Sequence, residues 1–493
     1  MKKEFLIYDL ETFGLSPAHD RIAQFAARRY NSVLEPIDEG IILYCKIPQD
    51  YLPSPTATLV TGITPDFVNK NGLCEVEFAK KIFKIMNEKS YSTYIVGYNN
   101  TKFDDNMLRY LFFRNFISPF STFLDRSIDV YTLMKAVYFV KKDIFKYKKN
   151  EQGRDSLRLE HLTLANGFEH KSAHDALSDV EATAQVFFHI IKNTPSVYEK
   201  YLFTSSRNSL YNFIVSQGGD NLFFLQTANG IKNSNGTLAI NVVNCNNECY
   251  FFDLLNEENE FEKNLEILKS IKDDYKNSNN MILDYNKLYS CSIKIKLNAS
   301  PFISTEDFFY SNSNLAKNEK EEIKLEVEKR LKRFKEVWSL SCINEKKSFE
   351  KPINQNSDKD VDESIYDGFL DKETSIIRAI DTSNPAIMYD ELKKQMKECN
   401  EKRLRVVKLF SRLIARNYFD VLSDKQKENW KNHCKEKLLV EKHDSQSNTR
   451  TLAEFDKELE GCKNLYKDDA KKMQIIALLD KYAKDLVESL QNF

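Results

Sequence analysis

Short apolar runs alternate with helical apolar spacing over the first 195 residues. "FLIYDL" (5–10), "AQFAARRY" (23–30), "IILYCKI" (41–47) and "YIVGYN" (94–99) have the length and β-branched or aromatic content of strands. Between and after them, "VEFAKKIFKIM" (76–86) and "DALSDVEATAQVFFHIIK" (175–192) repeat apolar residues every three or four positions, as amphipathic helices do. This region, 1–195, is predicted to be an α/β domain. From 196 to 345 the texture changes: "NLFFLQ", "TLAINVVN", "CYFFDLL" and "CSIKIKL" are strand-like runs separated by Asn, Gly and Ser turns. A helix follows in which Ile323, Val327, Leu331, Phe334 and Trp338 share one stripe. A small sheet or barrel with an appended helix is expected there, and the Lys/Glu-mixed side of that helix is expected to be a solvated face. Residues 346–363 are polar, include Pro352 and lack periodicity, so they read as a linker. The rest, 364–493, contains long charged amphipathic stretches such as "ELKKQMKECNEKRLRVVKLFSRLIARNY" and is expected to be helical.

Composition changes this picture little. A chain of 493 residues at roughly 150 residues per domain suggests about three domains. With 72 Lys and Arg against 73 Asp and Glu, the net charge of −1 creates no global basic field, so any polyanion site must be local. The nine cysteines are scattered without a C-x-x-C pair, which fits reduced thiols in the cytoplasm. Glu4 and Asp9 interrupt the start too early for a signal peptide, and no run approaches the ~18 apolar residues of a membrane span. A cytoplasmic protein without membrane contact is expected.

Chemistry enters at "YDLETFG". In a strand, Asp9 and Glu11 project from one face together with Phe5 and Ile7. Two carboxylates so close repel, and a cation between them relieves the cost. "GYNNTKFDDN" brings a third acid, Asp104, to a strand-to-helix boundary, and "AHDALSDVEAT" brings His174 and Asp179 to the start of a helix. Hard oxygen ligands of this kind suit Mg²⁺, with Mn²⁺ as the alternative, and a pair of such ions activates water and spreads charge on a phosphoryl group. Asp9, Glu11, Asp104 and Asp179 are the expected cation ligands, and the motif resemblance given next implies two ions with Asp9 bridging them. His174, with a reference pKa near neutrality, is the expected general base. The neighbouring Asp105 and Asp175 are expected to cap helices. If the substrate is the end of a nucleic acid strand, as the motif resemblance given next implies, the backbone of Thr12 to Gly14 would meet its terminal sugar and Phe13 would stack on a base. In 140–158, "VKKDIFKYKKNEQGRDSLR", Lys141 and six further cations interleave with Phe145 and Tyr147, a pattern suited to a single strand.

Taken in order, D-x-E, N-x-x-x-F-D and H-x-x-x-x-D resemble the three motifs of the histidine-bearing branch of the DEDD superfamily of 3'→5' exonucleases. "YDLETFG", "DRIAQFAARR", "YLPSPTATLVTGITP", "GYNNTKFDD", "LRLEHLTLANGFEH" and "AHDALSDVEAT" are similar, nearly phrase for phrase, to the bacterial exodeoxyribonuclease I family over residues 5–204. The resemblance implies a ribonuclease H-like exonuclease domain, an SH3-like β-rich domain and a C-terminal helical domain in one ring-like body. It implies a monomer that removes 5'-mononucleotides from single-stranded DNA in the 3'→5' direction during DNA repair and recombination. Arg158 falls at a position that contacts substrate in that family, and Arg109 and Lys135 fall where relatives carry basic residues near the strand. Binding to the acidic C-terminal tail of the single-stranded-DNA-binding protein is a further implied partnership. The alternatives are a DEDD exoribonuclease acting on RNA, and a catalytically silent single-strand-binding scaffold.

Overall fold

The computed structural model describes residues 4–88, 93–122, 126–169, 175–217, 221–226, 236–245, 247–277, 284–297, 299, 301–312, 315–338, 360–366, 377, 384–440 and 450–491. The first sheet contains β1 (Glu4–Thr12), β2 (Ile22–Tyr30), β3 (Ile41–Tyr44), β4 (Thr93–Gly97) and β5 (Ser127–Asp129) in the order β3-β2-β1-β4-β5. β1 runs antiparallel to β2 and parallel to β4, and β4 parallel to β5, giving a mixed sheet of ribonuclease H-like type. Its helices are α1 (Pro55–Thr61), α2 (Pro65–Asn71), α3 (Glu75–Asn87), α4 (Asp104–Arg114), α5 (Val130–Val140), α6 (Leu159–Asn166) and α7 (Ala176–Asn193). β1 is central and covered on both sides, which is why "FLIY" is continuously apolar. Phe5 and Ile7 pack with α5 and α7 residues such as Leu133 and Phe187. Leu6, Tyr8 and Leu10 face Phe78 and Ile82 of α3 and Leu108 and Phe112 of α4.

Two helices, α8 (Pro195–Ser205) and α9 (Arg207–Ser216), lead to a second, antiparallel sheet of β6 (Leu222–Gln226), β7 (Gly236–Cys245), β8 (Glu248–Asp253), β9 (Ile293–Lys296) and β10 (Ile303–Thr305). Its order is β10-β6-β7-β8-β9. Period-two alternation divides its side chains cleanly. Phe223, Leu225 and Phe251 pack with Leu210 and Phe213 of α9, while Phe224, Leu238 and Phe252 join the cluster that contains Ile7 and Leu133. Phe139 of α5 meets Phe224 at a ring separation of 4.6 Å. The two sheets thus share one apolar core rather than touching as closed domains. Helices α10 (Glu258–Asn277), α11 (Tyr285–Ser290), α12 (Glu306–Asn312) and α13 (Lys317–Val337) complete this part. The stripe on α13 packs as expected, with Val327, Phe334 and Trp338 buried. Its charged side is not simply solvated: Arg330 is buried, donating to the carbonyls of Leu254 and Asn256 and pairing with Glu258 and Glu326.

The C-terminal helices are α14 (Pro385–Lys397), α15 (Glu401–Asn417), α16 (Asp424–Leu439), α17 (Leu452–Leu465) and α18 (Ala470–Gln491). Their core, including Phe410, Trp430, Phe455 and Leu479, extends to Leu52, Leu59, Phe113 and Phe116 of the first domain. Residues 346–359 of the expected linker lie outside the described residues, but 360–363 are docked structure. Val361–Tyr366 forms a 3-10 turn whose Asp362 is buried against Arg412 and Arg416 of α15. Arginine pairing with Asp360 and Asp362 explains why an acidic, apparently linker-like run belongs to the helical layer. Among the described residues, no helix is long and apolar enough to cross a membrane.

Candidate active site

Strand β1 delivers Asp9 and Glu11 to the end of the sheet where the parallel strands β4 and β5 also finish. Asp9 pairs across to Ala26 and Glu11 to Gln24, after which the register shifts between Glu11 and Thr12. Alternation puts both acids on the face shared with Phe5 and Ile7, toward α7, and Asp179 sits in the first turn of α7. Ligand oxygens of Asp9, Glu11 and Asp179 lie within 4.8 Å of one another. Asp104 opens α4 immediately beyond β4 and is buried close enough to Asp9 and Glu11 to raise their pKa values.

Burial dominates the electrostatics. It pushes the Glu11 carboxyl up to about 8, helped by repulsion from Asp179, Asp104 and Asp175. Asp9 is raised well above the ordinary carboxylate range by burial and then by Asp104, Asp179 and Glu11. Burial and Asp105 do the same to Asp104, offset in part by a backbone hydrogen bond with Leu10. A set of converging, half-buried to buried carboxylates held away from their preferred charge state is a good fit for a divalent cation, whose charge reverses the penalty. The donors are all oxygen, which favours a hard ion.

Beneath these acids lies a polar layer that short motifs do not reveal. Asp105 is buried, and accepts from the Tyr8 hydroxyl at 2.5 Å, Asn100 Nδ2 at 3.1 Å and Ser127 Oγ at 3.3 Å. It braces α4 against β1 and β5 instead of capping the helix. Asp175 does occupy the N-cap position of α7, yet its side chain makes no capping hydrogen bond; its charge instead acts on Glu11. Asn99 has φ +62, a left-handed conformation that Asn tolerates, and its N–H donates to Asp129 Oδ1 at 2.9 Å. Asp129 also caps α5, accepting from the N–H groups of Tyr131 and Thr132. The sequence signal for Asp129 was an acid directly before an apolar helix, in "SIDVYTL".

The expected substrate residues are less uniformly placed. His174 lies outside the described residues. Thr12 is buried and its hydroxyl donates to the Gly14 carbonyl at 2.8 Å. Phe13 corrects an expectation: its ring is fully buried among Ala23, Tyr51, Ile63 and Val68, because the shift after Glu11 turns it into the core, and it presents no face for a base. Arg109 is half-buried, bonded to Asn106 and electrostatically close to Asp105. Arg158 and Lys141 are exposed. The segment before Arg158 is tied to the end of β4 by the Tyr98 hydroxyl, which donates to the Leu157 carbonyl. In the basic run, Lys142 and Lys149 are both paired with Asp155 at 2.6 Å. Phe145 is buried in the core, while Tyr147 is half-buried and packs edge-on against Tyr138. Lys135 faces a cleft of about 960 Å³ between the two sheets, with Lys102 and Thr132 on the same wall and Gln226 across from them. Gln226 Nε2 donates to the Thr132 carbonyl at 3.1 Å and helps fix that cleft.

Comparison with known proteins agrees with this geometry. Residues 6–187 match the family described as "Exonuclease", and residues 359–486 the family described as "Exonuclease I C-terminal domain". An exodeoxyribonuclease I of Buchnera aphidicola (from Acyrthosiphon pisum) is 30% identical over 425 residues, covering 84% of this chain and 97% of the relative. The exodeoxyribonuclease I of Escherichia coli K12 is 44% identical over 203 residues, 41% of this chain and 42% of that protein. Among solved structures, Exonuclease I from Methylocaldum szegediense superposes with a TM-score of 0.80 at 23% identity, covering 98% of this chain and all of that one. Escherichia coli Exonuclease I in complex with a dA16 oligonucleotide gives 0.78 at 25% identity, with 98% and 100% covered. With its acid-bearing strand, both matched regions and these relatives in agreement, the chain belongs to the exodeoxyribonuclease I family.

Proposed function

We propose that this protein is a divalent-metal-dependent exonuclease that shortens single-stranded DNA from the 3' end, releasing 5'-mononucleotides in DNA repair and recombination. The observation that carries this is the convergence of Asp9, Glu11 and Asp179 within 4.8 Å, with Asp104 beside them, in a chain of this family. These four carboxylates would hold two Mg²⁺ ions, or Mn²⁺. Bound divalent ions supply charge neutralisation at the scissile phosphate and lower the pKa of water.

The chain's own residues do the rest. Burial of Glu11 and Asp104 excludes bulk water and strengthens each carboxylate's hold on a cation. Asp105, held by Tyr8, Asn100 and Ser127, keeps the α4 N-terminus and therefore Asp104 at a set height above β1. His174, one residue before Asp175, takes the proton from the attacking water. The Thr12–Gly14 backbone meets the terminal sugar, while Lys135, Lys141 and Arg158 hold phosphates further along the strand and Arg109 acts beside Asp105. The domain boundaries at 195 and 345, an SH3-like middle domain, a monomeric cytoplasmic protein and contact with the acidic tail of the single-stranded-DNA-binding protein belong to the same reading.

The test is incubation with 5'-labelled single-stranded DNA, matched blunt duplex and matched RNA, with Mg²⁺ or EDTA, beside Asp179→Asn. Shortening of the DNA single strand alone, abolished by EDTA and by the substitution, is expected. Equal loss of RNA would move the assignment to a ribonuclease, and retained binding without cleavage would leave only a scaffold.

A further inference from the structure

The ligand-bearing end of β1 is gripped from the far side by the C-terminal helices. The Phe13 carbonyl accepts from Ser54 N–H at 2.8 Å and lies 3.0 Å from the Tyr51 hydroxyl. That hydroxyl is also 2.7 Å from Asp20 Oδ1, so its one proton is shared between the two oxygens. Asp20 Oδ2 in turn accepts from Ser16 N–H at 2.8 Å and closes the turn that follows Gly14. There is no room for a side chain in that turn: a Cβ on Gly14 would stand 2.2 Å from Asp20 Cγ.

Asp20, Tyr51 and Ser54 are each held by the helical domain. Arg450, just before α17, reaches the Leu52 carbonyl at 3.3 Å and Asp20 at 3.5 Å. Glu458 of α17 accepts from Ser54 Oγ at 2.6 Å and Thr56 N–H at 3.0 Å. Tyr482 of α18 donates to the Tyr51 carbonyl at 3.4 Å. Asp50, one residue earlier, is paired with Arg416 and Lys437. From the other side, Glu363 meets His19 at 3.3 Å. A contiguous path therefore runs from α15, α16 and α17 through residues 50–56 to the Phe13 carbonyl, two residues from Glu11.

We propose that Tyr51 is a positioning residue for the exonuclease site, coupling the docked C-terminal helices to the turn that sets the height of Glu11 and Thr12. The inference rests on Asp9 and Glu11 being the cation ligands. The helical domain is then part of the catalytic geometry and not only a wall for the strand. A hydroxyl-to-carbonyl contact is a small lever, but misplacement of a reacting group by about 1 Å can cost on the order of 100-fold in rate.

Two variants test this. Tyr51→Phe removes only the hydroxyl, and Arg450→Ala removes the grip on Asp20 and Leu52 from the other domain, with Arg450→Lys as the conservative replacement. Single-turnover cleavage at saturating DNA should fall about 10- to 100-fold in the first two, with KM within about twofold and partial recovery in the lysine variant. Hydrogen exchange, measured without DNA or cation, should quicken in residues 11–20 and stay unchanged in β7. Because the exchange arm uses no activity, it separates failure of this coupling from failure of the exonuclease assignment. Unchanged exchange in 11–20, uniform quickening across the chain, or a rise in KM with kcat intact would each overturn the proposal.

Discussion

Replacing Arg416 by methionine tests whether the helical layer is locked to the nuclease domain by buried charge. The guanidinium bonds both oxygens of Asp50, at 3.1 and 2.7 Å, and both oxygens of Asp362. The side chains of Arg416, Asp50 and Asp362 are 1%, 0% and 5% exposed. Removing one partner of a buried pair costs about 3–5 kcal/mol, because the remaining charge stays desolvated. Asp50 keeps Lys437 at 2.8 Å and Asp362 keeps Arg412 at 3.3 Å, so the lower end, about 3 kcal/mol, is expected. That is a factor of about 100 in the unfolding equilibrium. The pH dependence has a definite sign. Burial works against ionisation of both aspartates, and Arg416 more than repays it, holding them well below the ordinary range. In the parent protein their contribution is therefore present above the unfolded value of about 4 and flat between about pH 5 and 8. Without Arg416, burial raises both pKa values, and a raised carboxyl loses stability as pH climbs through it. The deficit should shrink on going from about pH 8 to 5, by about 1.4 kcal/mol for each unit of upward shift. Urea unfolding followed by Trp430 fluorescence reads it directly, since Arg416 lies 5.8 Å from that ring and Trp338 is the one other tryptophan, replaceable by Phe. A deficit under about 0.5 kcal/mol, or one that grows as the pH is lowered, would refute the reasoning.

Phe13→Ala should cost about 3–5 kcal/mol in thermal or urea unfolding as a core deletion. Phe13→Leu should leave affinity for single-stranded DNA unchanged, whereas a stacking role would cost about 1–3 kcal/mol of binding. Tyr8→Phe deprives Asp105 of a donor and should destabilise by about 1–3 kcal/mol. Because that donor favours the ionised carboxylate, Asp105 rises further and the deficit should be larger at about pH 8 than at pH 6. Lys135→Ala should weaken binding of single-stranded DNA measured in EDTA and reduce the salt slope by about 0.7, the loss of one phosphate contact.

Where local pattern and tertiary packing impose the same demand, the sequence is legible. β1 had to be apolar on both faces and then abruptly acidic, and it is; α7 had to carry Asp179 on its first turn, and it does. Legibility also follows similarity: 203 residues align with the Escherichia coli relative at 44% identity, while the match to the Buchnera protein across most of the chain is 30%. An aromatic beside a pair of acids looks the same in sequence whether it faces solvent or core, and Phe13 faces the core. The register shift after Glu11 decides between them, and such a shift has no sequence signature here. In the run 140–158, a count of cations takes no account of Asp155, whose single negative charge is shared between Lys142 and Lys149, while Lys141 and Arg158 stay exposed.

Sequence alone determined the kinds of element, the order of the motifs and the four acids, because period, turn residues and carboxylate spacing are local properties. Tertiary structure decided what those acids experience: three become strongly perturbed only once β1, α4 and α7 bring them together out of water. It also decided that Asp105 is a brace and that Asp360 and Asp362 are anchored. Contacts such as Asp50 with Arg416, 366 residues apart, exist only because a folded core brings their elements together, and no window along the chain contains both partners.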